Sequence, residues 1–121
     1  MPSVVFYREE SGQVGILEWF DQLPDKARIR CYEKIELLVK DGHLLRRPHT
    51  DYLRDGIHEL RAQHRGVNYR LLYFFYGQQV VVVSHGITKQ QATVPAIEID
   101  RAAERRRRFE TDPATHAHRR D

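Results

Sequence analysis

The spacing of apolar residues changes along the chain, and those changes divide it into elements. Val4-Val5-Phe6-Tyr7 is β-branched and aromatic, which predicts a short first strand. Ile16, Trp19, Phe20 and Leu23 then fall on one face of a helix over about Ser11 to Gln22, stopped by Pro24. A second helix follows, with Asp25 as its cap, Ala27, Cys31, Ile35, Leu38 and Val39 recurring at three- and four-residue spacing, and Gly42 as its stop. The proline turn between them predicts a helical hairpin.

Residues 43 to 55 have no period and predict a loop. Beyond Gly56 come three β-rich runs, Ile57 to Gln63, Val67 to Tyr76 and Gln79 to His85, whose short Gly-containing connections predict an antiparallel meander. Val80 to Val83 is apolar at every position, as for a strand covered on both faces or central in its sheet. Pro95 opens a last helix over residues 96 to 110, rich in Ala, Glu and Arg. The composition after Thr111 predicts a disordered tail. The expected order is β-α-α-β-β-β-α, one domain over residues 1–110 with a tail over 111–121.

A chain of 121 residues is long enough to bury a core without disulfides or a structural metal. Its longest apolar run, Leu71 to Tyr76, is too short to cross a bilayer, and Met1-Pro2-Ser3 leads straight into strand-like residues, so a cytoplasmic location is expected and no membrane partner. Cys31 lies in a helical pattern and reads as a small buried apolar residue. The net charge of +3 is unevenly spread. Residues 43 to 92 carry seven Lys/Arg against three Asp/Glu, and five of the seven histidines, which suggests a polyanionic partner.

Neither a metal-ligand spacing nor a phosphate loop, dinucleotide fingerprint or nucleophile elbow is present, so no cofactor is expected. What remains is a set of cations on strands. Period two separates Leu60 and His58 from Glu59 and Arg61, so that Glu59 and Arg61 face outward if Leu60 faces the helices. Arg70 interrupts an apolar strand, and His85-Gly86 closes the next, followed by Lys89. Antiparallel strands can bring Arg61, Arg70, His85 and Lys89 together. Attack by a ribose 2′-hydroxyl on its own phosphodiester needs a base, an acid and cations that stabilise a dianionic phosphorane, and arginine's planar fork suits the last of these. Equally, the arginines can be partners for Glu59 or Asp55, and His85 a strand cap.

Three segments, Gly56 to Arg61, Tyr69 to Phe75 and Val83 to Gln91, resemble in order and spacing the strand signatures of RelE/ParE-superfamily toxins, most closely the HigB-like, phage-derived branch. The resemblance implies an α+β fold: a small twisted antiparallel sheet, an N-terminal helical hairpin on one face, a C-terminal helix and a concave basic surface. It implies the toxin of a type II toxin-antitoxin system, held inactive by an antitoxin that is often a helix-turn-helix protein. The activity implied is metal-independent cleavage of mRNA on the ribosome, leaving a 2′,3′-cyclic or 3′ phosphate and a 5′-hydroxyl.

In that resemblance Arg70 stabilises the transition-state phosphate, Arg61 contacts phosphate, and Lys89 is an acid or phosphate-binding cation. RelE has a lysine at the position of Glu59 and no counterpart to His85, which leaves the base open among His85, Glu59 and an inward-turned His58. Arg65, Arg101 and Arg105 are further candidates for contacts to RNA, although Glu98, Asp100 and Glu104 can pair with the arginines along the last helix. A gyrase poison on the same scaffold and a non-catalytic nucleic-acid-binding protein are the alternatives.

Overall fold

The computed structural model of the chain describes residues 2–89 and 93–120, with Lys89 described by its backbone alone. The fold is α+β. Six strands, β1 (Ser3–Tyr7), β2 (Thr50–Arg54), β3 (Ile57–His64), β4 (Val67–Tyr76), β5 (Val80–Lys89) and β6 (Ala117–Arg119), form one sheet in the order β2-β3-β4-β5-β1-β6. All neighbours are antiparallel except β1 and β5, which run parallel with Val4 beside Val81 and Phe6 beside Val83.

Helices α1 (Gly15–Asp21) and α2 (Asp25–Asp41) cover one face. Ile16 and Phe20 of α1 and Ala27, Cys31, Ile35 and Leu38 of α2 meet Leu60, Leu71, Val81 and Val83 there. Helix α3 (Ala96–Thr111) covers part of the other face, where Ile99, Ala102 and Phe109 meet Ile57, Leu72, Phe74 and Val82. The all-apolar run Val81–Val83 is therefore fully buried, lying between β4 and β1 and beneath helices on both sides. Burial pushes the Cys31 thiol up to about 12, which makes it an inert core residue.

Several expectations are corrected. The first helix starts at Gly15, because Gly12 adopts φ +96 in a turn closed by Gly12 N–H to Glu9 O, a left-handed backbone that helical residues do not adopt. Asp25 is the first residue inside α2 and caps nothing; its carboxylate pairs with Arg28 at 2.5 Å. The segment expected as a loop holds a 3-10 turn at Gly42–Leu44 and then β2, joined to β3 by Asp55-Gly56 with both φ positive, a tight hairpin geometry. The tail expected to be disordered forms α4 (Pro113–His116) and β6. Contacts remote in sequence order it: His116 stacks on Tyr7 at 5.1 Å, and Arg8 donates to the carbonyls of Ala114 and Thr115 at 2.8 Å.

One irregularity decides which side chains share a face. Leu72 pairs with His85 but Tyr73 pairs with Val83, so Ser84 is an extra residue, a β-bulge. The bulge moves His85 onto the α3 face and turns Gly86 toward α1, where Trp19 lies on it. A Cβ at Gly86 would overlap the indole ring of Trp19. Gly86→Ala is expected to destabilise the fold by about 1–3 kcal/mol through overpacking. In a Trp19→Ala background the same change should cost little, so a double-mutant cycle by urea denaturation must show strong coupling between the two sites.

Candidate functional site

The register arranges the α3 face in rows. Asp51, Glu59, Leu72 and His85 form one row across β2, β3, β4 and β5, and Arg61, Arg70 and Ile87 form the next. Asn68 stands opposite Lys89 in the row after that. Two guanidinium groups directly opposite each other on paired strands repel unless a carboxylate lies between them. Glu59 supplies it. Its Oε1 lies 2.9 Å from Arg70 Nε and its Oε2 3.6 Å from Arg61 Nε, while Asp51 Oδ2 lies 3.0 Å from Arg61 Nη2.

The cluster is deep. The side chains of Glu59 and Arg70 are 3% and 9% exposed, whereas that of Arg61 is 34% exposed and opens the site to solvent. The short Arg70–Glu59 contact is an ion pair without hydrogen-bond alignment, so Glu59 Oε1, Arg61 Nε and Arg70 Nε are buried without a hydrogen-bond partner. Among the described residues, the best hydrogen bond of the Arg70 guanidinium is a 3.5 Å contact from Nη1 to the Tyr69 carbonyl. Buried donors in this condition are costly, and because both Nε atoms are closed to solvent against Glu59, an incoming anion meets the Nη edges of the two guanidinium groups instead. The Arg47 guanidinium, then the Tyr52 amide, hold the Asp51 carboxyl below its usual range, which keeps it ionised beside Arg61.

His85 has a different surrounding. Its Nε2 lies 3.0 Å from Glu98 Oε1 and its Nδ1 2.8 Å from Ser84 Oγ. Burial first, then the charges of Arg101 and Arg105, pull its pKa down to about 3, so the ring is neutral near pH 7. A carboxylate can only accept, which assigns the ring proton to Nε2 and makes Nδ1 the acceptor of the Ser84 hydroxyl. Both nitrogens are thereby occupied, and the suitable intrinsic pKa expected of His85 as a base is removed by its burial. The ring also borders a cavity of about 560 Å³ between α1, β5 and α3, together with Glu9, Trp19, Arg101 and Arg105.

The remaining candidates scatter. Arg105, expected to contact RNA, is buried; it donates from Nη1 to the Ser84 carbonyl at 2.5 Å, pairs with Glu9 at 2.9 Å and lies over the Tyr7 ring at 4.7 Å. It holds the bulge in place. Arg101 is exposed, 3.9 Å from Glu98, and Arg65 stands at the exposed β3–β4 turn, distant in register from the Arg61–Arg70 pair. Arg107 and Arg108 pair with Glu104, whereas Asp100 reaches across to Arg54 at 2.7 Å. His58 is on the opposite face, stacked on Tyr73. The side chain of Lys89 and the residues Gln90 and Gln91 lie outside the described residues. Sequence reasoning missed Asp51, Ser84 and Glu98 as members of the site; alternation in Thr50-Asp51-Tyr52 ahead of Asp55-Gly56 is the one local signal that would have found Asp51.

The depressed pKa of His85 makes a stability prediction. The unfolded chain takes up a proton at this residue near pH 6.5 that the folded chain refuses until about pH 3, so stability falls as pH drops through that window. One such group contributes a slope of up to about 1.4 kcal/mol per pH unit, and His58, shifted the same way by burial, adds to it. Urea denaturation between pH 7 and 4.5 should give a shallower slope for His85→Gln than for the wild type; an unchanged slope would contradict a neutral, buried His85.

A comparison with curated proteins gives no match. A family model, described as phage derived protein Gp49-like (DUF891), matches residues 18–107, from α1 through most of α3, and so spans both the Arg61–Arg70 cluster and the His85 network. The chain belongs to this phage-derived, Gp49-like family, a family associated with RelE- and HigB-like toxins.

Proposed function

We propose that the chain is the toxin of a type II toxin-antitoxin pair and acts as a metal-independent mRNA endoribonuclease, working on the ribosome and neutralised by an antitoxin. The observation that carries the reading is the Arg61–Arg70 pair, two cations side by side on one face, with Arg61 open to solvent and the Arg70 guanidinium making only a 3.5 Å hydrogen bond, to the Tyr69 carbonyl, among the described residues. In the reaction, the 2′-hydroxyl gives up its proton to water, the ribose 2′-oxygen bonds to phosphorus, the bond from phosphorus to the 5′-oxygen breaks, and that oxygen takes up a proton from Lys89 or water, so that the products are a 2′,3′-cyclic phosphate and a 5′-hydroxyl. Arg70 and Arg61 receive the non-bridging oxygens of the phosphorane, whose added charge strengthens those contacts in the transition state.

Glu59 is assigned a positioning role. It is buried between the guanidinium groups, and its Oε1 is closed to solvent, so it fixes their planes rather than receiving the 2′-hydroxyl proton. His85 and Glu98 anchor α3 beside the site. The backbone register sets Lys89 one row beyond Arg70, within the strand end that borders the reacting phosphate on this reading. The exposed Arg65 and Arg101 extend the basic surface along which RNA is drawn.

Arg70→Ala would leave a buried carboxylate half compensated, at a cost of up to about 3–5 kcal/mol, so Arg70→Lys is the cleaner test. It keeps the charge beside Glu59 but loses the planar fork. Cleavage should fall roughly 100-fold with thermal unfolding and antitoxin binding retained. After brief induction, transcript ends should map to cuts with 5′-hydroxyl termini that vanish in the variant. Intact mRNA accompanied by a DNA-damage response would instead establish a gyrase poison, and a fully toxic Arg70→Lys chain would refute the arginine assignment.

A further inference from the structure

The opposite face of the sheet carries a constellation that the ribonuclease reading leaves unused. At the β2 edge a cavity of about 400 Å³ opens between the Gly42–Leu44 turn and strands β2, β3 and β4, a volume within the range that small ligands occupy. Five rings line it. His43 lies flat on Phe75 with centroids 3.7 Å apart and planes 17° apart, and His58 lies on Tyr73 at 5.2 Å and 18°. Tyr52 and Phe75 meet His58 edge-on at 5.0 and 5.2 Å. Tyr52 is 55% exposed, a large aromatic side chain on an edge strand with one side uncovered.

The polar groups around these rings are those that recognise a nucleotide. The His58 side chain makes no hydrogen bond among the described residues, and burial, reinforced by His43 and Arg106, keeps its pKa below the ordinary histidine value. A neutral imidazole offers both a donor and an acceptor to the edge of a base. At the rim, Arg46 contacts only the carbonyls of His43 and Leu45, at 3.0 and 3.3 Å, and pairs with no carboxylate among the described residues. Beside it, the Arg47 side chain is 75% exposed. Aromatic faces bordered by the Arg46 guanidinium, which has no carboxylate partner among the described residues, and by the exposed Arg47, which shares Asp51, match a base joined to a phosphate; an aromatic side chain from a protein would fill the cleft but leave Arg46 without an anion.

The cleft is also tied to the cluster on the other face. One oxygen, Asp51 Oδ2, lies 2.9 Å from Arg47 and 3.0 Å from Arg61, so a single carboxylate at the sheet edge joins the cleft rim to the Arg61–Arg70 pair. Only β2 separates Arg61 on β3 from the open edge, a distance of about 5 Å between neighbouring strands. We propose that the cleft is a nucleobase subsite: it stacks one base of a single-stranded RNA whose backbone crosses the β2 edge at Arg47 to bring a neighbouring phosphate to Arg61 and Arg70.

This inference rests on the ribonuclease reading for the identity of the strand, and two oligonucleotides separate the two. The probes are a 2′-O-methyl RNA hexamer, which cannot be cleaved through its 2′-oxygens, and the same hexamer with every base removed, each titrated against the full chain by fluorescence anisotropy. Tyr52→Ala should weaken binding of the base-bearing hexamer about ten-fold, the scale of losing one stacked base, and leave the abasic hexamer unaffected. Tyr52→Phe, which keeps the ring, should restore it. Arg70→Lys should weaken both probes.

A Tyr52→Ala loss of equal size on both probes, no loss on either, or no binding of the base-bearing hexamer by the wild-type chain would overturn the subsite. A protein aromatic group as the true occupant would show itself as the second of these. If Tyr52→Ala acts on the base-bearing hexamer alone while Arg70→Lys changes neither, the cleft stands and the phosphate assignment of Arg70 falls.

Discussion

The Glu59 carboxylate is the constraint around which the α3 face is organised. The antiparallel register of β3 and β4 forces Arg61 and Arg70 into opposition, and among the described residues no other carboxylate reaches both. Without Glu59, one buried and one half-buried guanidinium would repel each other in a medium of low polarity, where such repulsion is strongest. With it, both are fixed in position, but the contact geometry leaves donors unused. Stability and binding capacity thus meet in one group: the same ion pair that permits two arginines in a sheet interior leaves them under-satisfied.

The bulge at Ser84 does the same for α3. It puts His85 on the face of the arginines and frees Gly86 to accept Trp19 on the other face, so one inserted residue coordinates both layers. Arg105 holds the bulge from α3 through the Ser84 carbonyl, and Glu98 holds His85, so the helix is docked by two polar contacts as well as by Ile99, Ala102 and Phe109. An arginine that composition assigns to a basic surface is in this way spent on architecture.

Where periodicity is strong, the sequence is legible. The α2 positions Ala27, Cys31, Ile35 and Leu38, the run Val80 to Val83 with all but its half-buried first residue in the core, and the strands on either side of Arg65-Gly66 declare themselves because apolar spacing reports burial directly. β2 does not, since an edge strand buries only one side, and Asp51, Tyr52 and Arg54 read as polar loop residues. The Asp55-Gly56 turn was the available signal, equivalent to the Arg65-Gly66 turn that joins β3 and β4. The C-terminal strand was not legible either: its order comes from pairing with β1, more than a hundred residues away, which no local pattern records. The Arg61–Arg70 juxtaposition follows from a meander in register, but the face on which His85 falls depends on a bulge whose residues look like any other strand end.

Charge balance then limits how the site can work on the proposed reading. Arg47, Arg61 and Arg70 share Asp51 and Glu59, so the cluster has only a small net charge and draws distant RNA weakly; long-range attraction must come from exposed residues such as Arg46 and Arg65. A singly charged phosphodiester arriving at the cluster competes with two carboxylates for the same guanidinium groups and so gains only part of their attraction. The phosphorane carries an additional charge and more demanding oxygens, and it draws the Nη edges of both guanidinium groups more strongly. A compensated arginine pair therefore discriminates between ground state and transition state better than a bare one, because some of the attraction that both would share is already taken up, while enough remains to hold the phosphodiester.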